Sequence, residues 1–136
     1  MSSKLFLKIR EEKGLAYVVK GSITAEKNYS YYTIYVGTTK DALPEIKRII
    51  IEEFDNIEKM TEIELNEMKE QLIGNRKIST EESLNVMQEL LFAELADKGE
   101  TYYEHEEKIR AVNLMQVKNL AKKLIEKYSI AAVVPK

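Results

Sequence analysis

The chain has 136 residues, 44% hydrophobic and 32% charged, which is the size of one domain able to bury its own core and excludes a disordered chain. Its net charge of -2 lacks the basic surplus of a nucleic-acid module, so no nucleic-acid partner is expected. The absence of cysteine and the single histidine exclude disulfides, thiolate metal sites and a His-rich zinc site within this sequence.

Residues 2–13 read as a helix. Ser2 or Ser3 can cap it, Leu5, Phe6 and Ile9 fall at helical spacing, and Gly14 is placed just past its C-cap. Residues 16–24 and 29–38 are then rich in Tyr, Val, Ile and Thr, which suit a pleated surface. In the second run Tyr32, Ile34 and Val36 share one face and Tyr31, Thr33 and Tyr35 the other. The polar Glu26-Lys27-Asn28 turn between the runs makes an antiparallel hairpin.

Most of the rest reads as helical. Leu43, Ile46, Ile50, Phe54 and Ile57 form an apolar stripe, with Pro44 tolerated in its first turn. Three capping boxes are predicted, Thr61/Glu64, Ser79/Glu82 and Thr101/Glu104, with Asn113/Gln116 as a looser version. The helix after Ser79 carries Leu84, Met87, Leu91 and Leu95 and is stopped by Gly99. The last helix carries Leu114, Val117, Ala121, Leu124 and Tyr128. Gly74 falls inside a helical pattern at a cost of about 1 kcal/mol against alanine, which predicts an interruption there. Ile130–Val134 reads as a closing strand ended by Pro135. The sum is an α+β two-layer fold, with a small antiparallel sheet of about three strands against several helices, in one domain over 1–136. So small a sheet leaves edges that proteins normally cover or pair, and points to a piece of something larger.

Much familiar chemistry is missing. No phosphate loop, dinucleotide fingerprint or nucleophile elbow occurs. His105 lies among Glu104, Glu106 and Glu107, which reads as a solvated acidic helix face. No apolar run can span a bilayer, and Met1 leads into mixed polar sequence rather than a secretory leader. A cytoplasmic protein with no membrane partner is the expectation. Five of the eight tyrosines (17, 29, 31, 32 and 35) cluster in the hairpin, as a half-buried sheet would have them. From the residues alone, Arg10 is a helix-end cation and Tyr17 an ordinary strand aromatic.

The segment Ser2-Ser3, Leu5-Phe6, Arg10 and Gly14-Leu15-Ala16-Tyr17 resembles the C-terminal, non-zinc domain of the pitrilysin/insulinase family of zinc metallopeptidases, of the inverzincin class. The resemblance continues through Val36-Gly37-Thr38, Thr61-Glu62-Ile63-Glu64-Leu65, Ile78-Ser79-Thr80-Glu81, Ile109-Arg110-Ala111-Val112 and Val134-Pro135. It implies a processing-peptidase-like half-domain, and further strands and helices upstream. It also implies a partner, a homologous domain or subunit that bears the inverted His-x-x-Glu-His zinc motif, which this sequence lacks. No cofactor is then expected in this chain, and the zinc on the partner.

The resemblance implies two site residues, seven positions apart. Arg10 would clamp an extended peptide substrate, and Tyr17 would bind substrate and stabilise the transition state. These residue types suit the reaction. A guanidinium forks onto a carbonyl or carboxylate, and a phenol offers an uncharged donor to a developing oxyanion. The chain alone is expected to be inactive. The hairpin edge at 16–24 could accept a peptide as an added strand, or pair with a second copy in a homo-oligomer. The alternative function is a non-enzymatic structural or assembly subunit with a peptidase-like fold.

Overall fold

The computed structural model of the protein describes residues 4–25 and 28–134. The cap expected from Ser2 or Ser3, the turn residues Glu26 and Lys27, and Pro135 lie outside the described residues. The chain forms two compact units, residues 1–58 with 118–136 and residues 59–117.

The first unit holds the sheet. Helix α1 (Lys4–Phe6) continues directly as a π-helical stretch over Leu7–Glu12. Gly14 ends it with φ +61, a left-handed conformation that glycine adopts without a Cβ penalty. Its N–H donates to the Arg10 carbonyl at 3.1 Å, and the Leu15 N–H donates to the Ile9 carbonyl at 2.9 Å. The chain then enters β1 (Ala16–Ala25), which pairs antiparallel with β2 (Ser30–Thr38). Helix α2 (Leu43–Asn56) follows a 3-10 turn at Lys40–Ala42, with Pro44 in its first turn.

The core of this unit is Ile9, Ala16, Ile46 and Ile49, with Leu5, Leu15, Val19, Val36, Ala42 and Ile50 packed against them. Ile9 and Ile49 are fully buried, each contributing about 1.5–3 kcal/mol. Ile49 falls outside the stripe read from the sequence, yet it lies deeper than Ile50. Along β2, Val36 packs on this core and Tyr32 meets the Phe54 ring edge-on at 6.3 Å. The opposite face leaves Tyr31 and Tyr35 exposed. Ion pairs from Lys8 to Glu53 (2.6 Å) and Lys13 to Glu45 (2.8 Å) link the N-terminal segment to α2.

The second unit is helical: α3 (Glu62–Ser79), α4 (Ser83–Leu95) and α5 (His105–Ala111), with a 3-10 turn at Gly99–Tyr102. Helix α6 (Leu114–Glu126) leads back into the first unit. Helix α3 runs unbroken through Gly74, so the predicted interruption does not occur.

Two of the four caps form. Thr61 accepts from the Glu64 N–H at 3.3 Å while Glu64 accepts from the Thr61 N–H at 2.9 Å, and Asn113 and Gln116 do the same at 3.0 and 2.9 Å. The Ser79/Glu82 box does not form, because α3 absorbs Ser79 and α4 starts after Glu82 without a side-chain cap. Nor does Thr101/Glu104: Thr101 lies in the 3-10 turn and donates back to the Lys98 carbonyl at 2.7 Å. Helix α4 ends before Gly99, and Asp97 takes the left-handed conformation, φ 56, which a short polar side chain tolerates. The stripe Leu84, Met87, Leu91 and Leu95 on α4 is exposed.

The architecture is α+β as expected, with one correction. The sheet among the described residues has two strands, not about three. Ile130–Val134 has no regular structure and is exposed. Its β-branched residues suit a strand, but a strand is stable only when its N–H and C=O groups find a neighbouring ladder, and both described strands pair only with each other.

Candidate functional site

Arg10 sits in the π-helical stretch, a geometry that recurs at functional sites. Its guanidinium lies 5.0 Å from the centre of the Phe6 ring and 3.5 Å from a Glu11 carboxylate oxygen. The side chain is about half exposed, so neither contact removes it from solvent. Its own carbonyl accepts the Gly14 N–H, which fixes the turn leading to β1. Ile9 and Ala16, next to Arg10 and Tyr17 in sequence, are both in the core. The backbone on each side of the Gly14 turn is therefore anchored, while Arg10 and Tyr17 themselves are exposed.

Tyr17 occupies an irregularity that its own strand does not mark in the sequence. Ala16 pairs with Thr38 and Val18 pairs with Gly37, so Tyr17 is the extra residue of a β-bulge. Bulges re-aim side chains beside active sites and rims. Tyr17 is 69% exposed, and its ring lies across Gly37. Thr38 donates a hydrogen bond to the Leu15 carbonyl, closing the end of the hairpin below the bulge. Gly37 enters the sequence reading only within Val36-Gly37-Thr38, with no role of its own. The signal lay in Val36-Gly37-Thr38, a glycine within a strand pattern, which often marks a bulge or a close approach.

An open apolar groove of about 520 Å³ also lies in the first unit, lined among others by Tyr32, Ile34, Ile50, Phe54, Leu124 and Tyr128. Neither Arg10 nor Tyr17 lines it.

His105 does not stand on a solvated acidic face. It is half-buried at the start of α5 and lines a small cavity of about 70 Å³ with Ile73, Arg76, Lys77, Thr80 and Glu106. Burial, and then the positive charge of Arg76, hold its imidazole below the ordinary value of 6.5. Arg76 itself bonds the Glu89 carboxylate at 2.8 Å and the Tyr102 carbonyl at 3.0 Å, and stacks 4.6 Å over the Tyr102 ring. Arg110 pairs with Glu70 and Glu106, and the Glu70 and Glu106 carboxyls are held below their usual range chiefly by hydrogen bonds from it. Charge clasps of this kind build a scaffold. They do not fit zinc, since the one imidazole sits beside a guanidinium that repels a second cation. No group of three or more potential ligands is gathered among the described residues. None of the described helices is long and apolar enough to cross a membrane.

Comparison with known proteins defines the class. Residues 1–72, more than half of the chain, match the family described as the Peptidase M16 inactive domain. The chain therefore belongs to the M16 (pitrilysin/insulinase-type) peptidase family, in its non-catalytic C-terminal domain. It is also 35% identical over 143 aligned positions to a Bacillus subtilis (strain 168) protein named "Uncharacterized zinc protease YmxG". That alignment takes in 99% of the chain and 34% of the relative, so the chain spans about a third of that protein's length.

Proposed function

We propose that this chain is the substrate-facing, zinc-free part of a zinc peptidase. It would act with a homologous domain or subunit that carries the metal, in the cytoplasm. Within that assembly the substrate is an extended peptide. Arg10 binds a backbone carbonyl or a carboxylate of the peptide and sets its register. Tyr17 donates its phenolic hydrogen to the oxygen that gains charge as the peptide bond is attacked. The outer edge of β1 offers backbone groups for an added peptide strand, or for a second copy of the chain.

The observation that carries the reading is the exposed phenol of Tyr17 on a bulge. It stands one left-handed turn from an exposed guanidinium, in a chain of the M16 inactive-domain family. The ring leans on Gly37 and leaves most of its surface to solvent, so the phenol is accessible to a peptide. The test is Tyr17→Phe in the intact zinc-bearing assembly. It is expected to lower kcat by about 100-fold, in the range for loss of one oxyanion donor, with the melting curve of the fold retained. An unchanged kcat would refute the oxyanion role and favour a purely structural subunit.

A further inference from the structure

We propose that Gly37 is a positioning residue for Tyr17: the side chain it lacks is the space across which the phenol lies. The inference rests on the Tyr17 role given above. An ideal Cβ built on Gly37 would lie 2.8 Å from Tyr17 Cζ, 3.0 Å from its hydroxyl oxygen and 3.1 Å from Cε2. Carbon atoms in contact need about 3.5–4.0 Å. The ring and a methyl group at 37 cannot both occupy their places.

Backbone conformation does not require the glycine. Among the described residues Gly14 is the glycine with positive φ, and Gly37 lies in ordinary strand geometry opposite Val18. Alanine can adopt that backbone. What it cannot do is leave the ring where it is. Because Tyr17 is largely exposed, the clash is relieved by swinging the ring outward rather than by unfolding the hairpin. The same bulge that turns Tyr17 toward solvent sets it over residue 37, so the two features work as one device. The bulge chooses the direction and the glycine admits the ring close to the sheet. A second pair shows the same construction away from the proposed site. The Tyr32 hydroxyl lies over Gly21, leaving no room for a Cβ there either. Tyr32 shares its face with Ile34 and Val36, which turns toward the core of the first unit.

An oxyanion donor works only within a narrow range of distance, and a misplacement of roughly 1 Å can cost 100-fold in rate. The test compares Gly37→Ala, Tyr17→Phe and the double variant in the intact zinc-bearing assembly, using an internally quenched peptide that the wild type cleaves. Gly37→Ala is expected to lower kcat by about 10- to 100-fold with KM nearly unchanged. In the Tyr17→Phe background it should have no further effect. A full additional loss in that background would overturn the proposal, because the glycine would then act without the ring.

A second readout is independent of turnover. With fluorotyrosine incorporated, the fluorine resonance lost in Tyr17→Phe should move in Gly37→Ala. An unmoved resonance overturns the positioning role whatever the rate does. If Tyr17→Phe leaves kcat intact while the resonance still moves, the oxyanion reading falls and the placement of the ring by Gly37 stands.

Discussion

Replacing Gly74 by alanine adds one methyl group in the interior of α3. The helix is continuous there from Glu62 to Ser79, and a Cβ built on Gly74 would meet nothing within 4 Å. No packing term opposes the change, so it acts through the backbone. Glycine in a helix interior is less favourable than alanine by about 0.8–1.0 kcal/mol, because the unfolded chain with alanine has less freedom to lose. The methyl group itself gains little, having no neighbours. We expect about 1 kcal/mol of added stability, or a rise of roughly 3 °C in melting temperature for a chain of this size. Urea unfolding followed by far-UV circular dichroism measures it, with the midpoint rising and the slope unchanged. A lower midpoint would refute the reasoning. It would mean that α3 breaks at Gly74 or that another surface presses close on that position.

Two further predictions concern the second unit. Arg76→Ala removes the fork on Glu89, the bond to the Tyr102 carbonyl and the stack on the Tyr102 ring. It should cost about 1–3 kcal/mol, and Arg76→Lys should recover only part of this because lysine cannot fork or stack in the same way. A melting temperature equal to wild type for Arg76→Ala would show that the clasp is ornamental. His105 is held below its ordinary value, so the fold favours the neutral imidazole. Its contribution is present above about 6.5 and is lost as pH falls from there through the lowered folded value. The urea midpoint should therefore drop over that window, and His105→Gln should flatten the drop. An identical pH profile for the variant would remove His105 as the cause.

What could be read from the sequence was whatever depended on neighbours along the chain. The hairpin was legible because a β-branched and aromatic run is bounded by Gly14 and a polar turn. The caps at Thr61 and Asn113 were legible because each pair precedes an apolar helical run. Ser79/Glu82 and Thr101/Glu104 have the same spacing and failed. A cap needs an extended backbone, as Thr61 has with ψ 161, and spacing does not encode ψ. Ser79 lost that freedom when α3 ran on past Gly74. The closing strand failed because pairing is long-range: Ile130–Val134 has the composition but no ladder beside it. The site was legible only in part. Arg10 and Tyr17 entered through the family resemblance. The bulge under Tyr17 left only an indirect trace, the glycine of Val36-Gly37-Thr38 on the partner strand, because inserting one residue preserves the apolar character on both sides.

The π-helical stretch carrying Arg10 has a consequence for chain length. A π-helical turn takes up one residue more than an α-helical one. Deleting any single residue between Leu7 and Glu12 could restore ordinary α-helical bonding. The helix would survive, and because the wide turn is what absorbs the extra residue, its two flanks would keep nearly their present phase. What would change is the spacing along the chain, between Arg10 and Phe6 for a deletion before position 10 and between Arg10 and Tyr17 for one after it. The stretch that carries Arg10 is thus the place where this segment can gain or lose one residue while the helix on either side stays as it is.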